Sequence, residues 1–344
     1  MPRRTHIIVL LCVIGSGCGG ATTSSDGDTD GETNGESETG FDGTLECGEL
    51  EPRNASEIVY CNRLDEPIVA LWQPPPGPAP AAGHPAVIVL HGSGGLFDET
   101  ETPGLCSEEP EQQFERWGER LNAAGYAMLA PASFHSRGFC EYRDDQPIPP
   151  GYDQRERLIT RAFDVRGAVD WLCARDDVDC SRLALLGFSN GGSTTLLSVY
   201  EALGTPEQAA GSDAEPDPRL ESLAGPSPFV GAVAYYPGCD LHNQVDDSLA
   251  TADLPAFYFP AVPTLVLHAE LDDLREDCEQ IRLPQTELVS ADRGLAENPF
   301  SLQIFAGADH GFDNADEGEA PQAELDARDA AVDMAMAALA SWLN

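Results

Sequence analysis

The chain has 344 residues, enough for one large α/β domain with a full core, and carries 59 Asp and Glu against 19 Lys and Arg, a formal net charge of −40. That balance excludes nucleic acid as a partner, because phosphate binding needs clustered Lys and Arg, and it opposes attraction to anionic lipid surfaces. The acidity itself reads as a solvated surface.

The N-terminus, "MPRRTHIIVLLCVIGSGC", has a basic start at Arg3 and Arg4 and an apolar run from His6 to Gly15 that is too short to span a bilayer. Small residues and Cys18 follow. The stretch resembles a bacterial lipoprotein signal over residues 1–17, with Cys18 acylated and left as the new N-terminus. Gly15 stands where such signals usually carry Leu, and an ordinary secretion signal is the alternative. Both readings assign the protein to export. The first places it in the bacterial cell envelope, in the periplasm or on the outer membrane or surface, held to the membrane by its lipid. Residues 18–45 are rich in Gly, Ser, Thr, Asp and Glu and cannot bury enough apolar surface to offset their ordering entropy, so they read as a disordered acidic tether. Their acids lack the ligand spacing and closing Glu of an EF-hand. Residues 46–344 form the folded domain.

Beside Cys18, the mature chain holds Cys47, Cys61, Cys106, Cys140, Cys173, Cys180, Cys239 and Cys278. Eight is an even number, and an oxidising compartment would allow up to four disulfides. Cys173–Cys180 is a natural local staple, and Cys239–Cys278 would join two loops near the candidate site. No CxxC pair with metal spacing occurs, so no metal centre is expected.

Ile58 to Pro74 reads as one or two early strands and Pro74 to Pro85 as a Pro-rich connector. "AVIVLHG", Ala86 to Gly92, is an all-apolar run of the kind that forms a buried parallel strand. Phe114, Trp117 and Leu121 then recur at helical spacing before Gly125. "YAMLAP" is a strand, Arg155 to Arg175 a long helix, and "RLALLGF" a strand followed by a helix from Asn190. "FVGAVAYYPG", "PTLVLHAELDD" and "FSLQIFAG" are three more strands, and Ala323 to Asn344 is a terminal helix. The alternation predicts an α/β fold: a mostly parallel, doubly wound sheet with helices on both faces, its functional residues in loops beyond the carboxyl ends of the strands. Gly204 to Pro228 is a polar insertion, read as a surface loop with a lid as the alternative.

Gly187-Phe188-Ser189-Asn190-Gly191 is a G-x-S-x-G pentapeptide. The pattern alone is weak. Its context, an apolar strand before and a helix after, is that of a nucleophile held on a sharp strand-to-helix turn. A serine needs a base, usually His, oriented by a carboxylate, and in this architecture the order is Ser, acid, His. His242, His268 and His310 follow Ser189. The acid region "VLHAELDDL" ends a strand, and only His310, in the Gly-rich "FAGADHGFD", lies after it. The order selects Ser189, Asp272 and His310, with Asp273 the alternative acid; His242 and His268 read as structural. Backbone N–H groups of Asn190 and of Ser93, with Gly94 the alternative, would stabilise the oxyanion. His91 is expected to pack beneath that loop.

"VIVLHGSGGL", "GYAMLAPASFHSRGFC", "FDVRGAVDWL", "LALLGFSNGGS", "YYPGC", "LHAELDD" and "AGADHGFD" together resemble the α/β-hydrolase superfamily and, within it, the dienelactone hydrolase family, from about Pro85 to Asn344. The resemblance implies a nucleophile, an Asp and a His that map onto Ser189, Asp272 and His310, and a carboxylic ester, small-molecule or polymeric, as substrate, with no cofactor. Serine replaces the cysteine that founding members carry at the elbow, and Ala132 stands where relatives often have Asp. Arg137 is either a hold for an anionic substrate group or half of a structural salt bridge. The expected activity is that of a serine esterase or lactonase. The alternatives are a peptidase of the same fold and an inactive surface-binding lipoprotein.

Overall fold

A computed structural model describes residues 47–48, 50–102, 104–142, 151–200, 219, 222–223, 225–241, 258–282 and 299–344. All of these fall in the compact unit Gly43–Asn344. The expected signal, Cys18, the tether, His242 and most of the insertion at 204–228 lie outside the described residues.

The strands are β1 (Glu57–Cys61), β2 (Pro67–Gln73), β3 (His84–Leu90), β4 (Ala127–Pro131), β5 (Val178–Phe188), β6 (Gly231–Tyr235), β7 (Thr264–Ala269) and β8 (Phe300–Phe305). Among the described residues they form one sheet in the order β1-β2-β4-β3-β5-β6-β7-β8. β1 with β2 and β2 with β4 pair antiparallel, and every other neighbouring pair is parallel. The carboxyl ends of β3 to β8 therefore meet at one edge.

The helices are α1 (Gln112–Ala123), α2 (Gln154–Cys173), α3 (Asn190–Ser198), α4 (Arg275–Arg282) and α5 (Gln322–Leu343). β3 is buried on both faces because alternate side chains enter opposite layers. Val87 and Val89 join Phe114, Trp117 and Leu121 of α1 and the small-residue stripe Ala327, Ala331, Ala335 of α5. Ala86, Ile88 and Leu90 join Val165, Ala168 and Leu172 of α2. The continuous apolar run in the sequence is the signature of this two-sided burial. Asp153 caps α2 by accepting from the Glu156 N–H at 2.9 Å, a cap worth about 1 kcal/mol. The sequence reading did not anticipate α4, a single polar stretch behind the β7 loop.

Disulfides join Cys47–Cys61, Cys106–Cys140, Cys173–Cys180 and Cys239–Cys278. The last two are the pairs expected from sequence. The third staples the end of α2 to β5, and the fourth ties the loop after β6 to α4. No helix among the described residues is long and apolar enough to cross a membrane.

Candidate active site

Ser189 sits between β5 and α3 with φ 49° and ψ −116°. A non-glycine residue in this region costs about 1–3 kcal/mol and persists only where the surroundings impose it. Here they do. A Cβ on Gly191 would lie 2.5 Å from the His91 carbonyl, and one on Gly187 would strike the Gly191 carbonyl and the Thr195 hydroxyl. The two glycines let α3 start hard against the ends of β3 and β5, and the bend lifts the serine above the sheet edge.

His310 follows β8. Its Nε2 lies 2.9 Å from Ser189 Oγ and its Nδ1 lies 2.7 Å from Asp272 Oδ2. A carboxylate only accepts, so Nδ1–H donates to Asp272 and Nε2 is left to accept from the serine hydroxyl. Asp272 ends the β7 turn with its side chain buried, while the His310 side chain is 40% exposed. Leu274 N–H donates to Asp272 Oδ1 at 3.0 Å. Burial pushes the Asp272 carboxyl up, but the hydrogen bonds from His310 and Leu274 outweigh it and hold its pKa below the ordinary carboxylate value. Asp273 points to solvent. The structure thus brings together Ser189, Asp272 and His310, residues from the ends of three different strands, and it leaves Asp273 outside the group.

The loop after β3 passes directly beside the serine: a Cβ on Gly92 would be 3.4 Å from Ser189 Cβ. Ser93, next along, is half-buried, and its carbonyl accepts from Tyr142 N–H at 2.7 Å. Asn190 supplies the first amide of α3, a position with no intrahelical acceptor. His91 is fully buried, edge-on to Phe134 at 4.6 Å, and donates from Nδ1 to the Gly92 carbonyl. Burial first, and the Arg161 charge second, hold its pKa well below the ordinary imidazole value. His268 is also fully buried. Its Nδ1 accepts from Ala269 N–H, and its Nε2 faces the Pro237 carbonyl at 3.2 Å. Arg137 pairs with Glu66 at 2.6 Å and Asp164 at 2.8 Å, so of its two readings the structural salt bridge is the one present.

Three supporting residues had not been singled out in the sequence. Tyr236 follows β6 at φ 34° and packs its ring 4.7 Å from that of His310. Its hydroxyl donates to Asp313, which also accepts from Gln113 Nε2 at 2.5 Å. Asp313 lies in the turn just past His310, and burial pushes its carboxyl up to about 6. The network ties the His310 turn to α1 and β6. Nothing in the local sequence marks Gln113, Tyr236 and Asp313 as neighbours, since they are far apart along the chain.

No family model and no curated protein matches the chain. Solved structures do. An esterase from Pyrobaculum calidifontis aligns at TM-score 0.51 and 18% identity over 86% of this chain and 88% of its own. Esterase 2 from the planctomycete Thermogutta terrifontis aligns at 0.52 and 18%, over 85% and 95%. A Klebsiella pneumoniae protein described as a dienelactone hydrolase aligns at 0.50 and 19%, over 83% and 99%.

The chain has the α/β-hydrolase fold.

Identities this low establish the architecture, as the eight strands, their order and the elbow at Ser189 do independently.

Proposed function

We propose that the protein is an exported serine hydrolase of carboxylic esters, related to the dienelactone hydrolases. The hydrogen-bonded chain Ser189–His310–Asp272 carries the reading. His310 Nε2 removes the hydroxyl proton as Ser189 Oγ attacks the ester carbonyl. Asp272 stabilises the imidazolium through the Nδ1–H bond. The amides of Asn190 and Ser93 receive the developing oxyanion, a contribution of several kcal/mol to the barrier. His310 returns the proton to the leaving alkoxide, leaving an acyl-enzyme on Ser189. Water deprotonated by His310 Nε2 then attacks the acyl carbon, the bond to Ser189 Oγ breaks as His310 returns the proton to Oγ, and the carboxylic acid leaves. The esterase and dienelactone hydrolase neighbours support a small-molecule ester as substrate.

Two features of the chain support this placement. Four disulfides among the described residues fit an oxidising compartment. The N-terminal stretch, read as a signal over residues 1–17 with acylation at Cys18 and a tether over 18–45, supports export with a lipid anchor.

Fluorophosphonate labelling of the mature protein, with the modified peptide located by mass spectrometry, tests the assignment. Label on Ser189 supports it, and a folded sample that takes no label overturns it. A p-nitrophenyl ester panel set against p-nitroanilides of matched acyl groups then measures ester against amide preference.

A further inference from the structure

α2 buries most of its length, and at its centre is Arg161, a guanidinium with no exposed surface. A charge so placed is costly unless it is paired or fully hydrogen-bonded. Among the described residues no carboxylate pairs with it. Asp164, one turn along the helix, is engaged by Arg137 and by Asn62 Nδ2 at 2.8 Å. The Arg161 Nε is buried without an acceptor. The guanidinium instead donates from Nη2 to the His91 carbonyl at 2.5 Å and from Nη1 to Asn190 Oδ1, with the Phe134 ring 5.2 Å away. Burial lowers its pKa to about 10, so it remains charged at neutral pH.

Those two acceptors stand on the two segments that border Ser189. His91 leads into the loop that carries Ser93, and Asn190 opens α3. The β3–β5 ladder ends at the Leu90–Gly187 pair. Past it the two segments stay packed against each other beside Ser189, no longer held by ladder pairing, and one planar guanidinium hydrogen-bonds to both. The fork of an arginine holds two acceptors in fixed relative geometry, which the single ammonium of a lysine does not.

We propose that Arg161 is a positioning residue that locks the Ser93 and Asn190 amides into one oxyanion-binding geometry. The inference rests on the hydrolase reading and deepens it. The donors must lie about 2.7–3.1 Å from the oxyanion, and they sit on segments that Arg161 joins. Arg161 itself reaches the carbonyl and side chain of those segments and leaves the amides free to face substrate. It therefore acts on the transition state and not on ground-state binding.

The test uses the full mature chain. Arg161→Met is expected to lower kcat on p-nitrophenyl acetate by about 10²-fold, the loss typical of a donor moved about 1 Å from its position. KM stays within about twofold, as expected when the interaction is made only in the transition state. Affinity for an alkyl trifluoromethyl ketone, which adds to the serine as an oxyanion adduct, falls by the same factor as kcat. Arg161→Lys regains part of both. Asn190→Ala, which keeps the backbone amide but removes the acceptor, lowers both in the same direction, and it carries the test where Arg161→Met does not fold. The double variant falls no further than Arg161→Met. Wild-type kcat and ketone affinity in Asn190→Ala, or additive losses in the double variant, overturn the proposal. Absence of fluorophosphonate labelling in the folded wild type instead overturns the hydrolase reading, so the two failures are distinct.

Discussion

Asp272→Asn isolates one hydrogen bond at the centre of the proposed chemistry. Asp272 uses both carboxylate oxygens: Oδ2 accepts from His310 Nδ1–H at 2.7 Å and Oδ1 from Leu274 N–H at 3.0 Å. An amide has a single oxygen. If it stays with Leu274, the NH₂ faces Nδ1, and His310 must carry its proton on Nε2, where it can no longer accept from Ser189. If it turns to His310, the NH₂ opposes the Leu274 N–H and a buried donor goes unpaired, costing about 1–3 kcal/mol. Either arrangement also removes the negative charge that stabilises the imidazolium. The combined loss is expected to be about 10⁴-fold in kcat, or roughly 5 kcal/mol of barrier. The assay is steady-state hydrolysis of p-nitrophenyl acetate with thermal melting in parallel, and Asp273→Asn is the control. Asp273 is exposed, and its variant should stay within about twofold of wild type. An Asp272→Asn enzyme within tenfold of wild type, or an equal loss in Asp273→Asn, would refute the reasoning.

Asp313, raised to about 6 by burial, keeps its proton over roughly pH 4–6 where the unfolded chain has released it. The folded state then binds more protons than the unfolded one, so this group's contribution to stability falls as pH rises through that window, by up to roughly 3 kcal/mol. Asp313→Asn should gain on wild type in melting temperature from pH 4 to pH 7; a pH-independent difference would contradict the assignment. Cys106–Cys140 and Cys239–Cys278 close loops of sequence separation 34 and 39, against 7 for Cys173–Cys180. Chain-entropy arguments give about 3–4 kcal/mol for each long loop and about 2 for the short one. Denaturant titration of the paired Cys→Ala variants should show that ranking. Gly191→Ala drives a methyl group into the Leu90 and His91 carbonyls, so either α3 shifts or the chain unfolds. Loss of fluorophosphonate labelling should accompany a drop of several kcal/mol in stability.

The order of elements and the identity of the elbow were legible in the chain because they are local. A buried run such as Ala86–Leu90, the spacing of Phe114, Trp117 and Leu121, and small residues around Ser189 are each set by contacts within one element or one turn. His310 was legible for a different reason: a fixed order of functional residues along the fold left a single histidine after the candidate acid region at Asp272 and Asp273. What lay beyond the sequence was every choice between near-equivalent groups. Asp272 and Asp273 are adjacent and chemically alike, and only the path of the β7 turn buries one against His310 and exposes the other. The Cys47–Cys61 and Cys106–Cys140 pairings, and the partners of Arg137, depend on which loops the sheet order brings side by side. Arg161 lies outside every motif read from the chain, and Tyr236 and Asp313 lie within YYPGC and AGADHGFD with nothing there to mark them as partners. Their roles exist because strands distant in sequence end at one edge, where a buried charge must find acceptors among whichever groups the fold has gathered there.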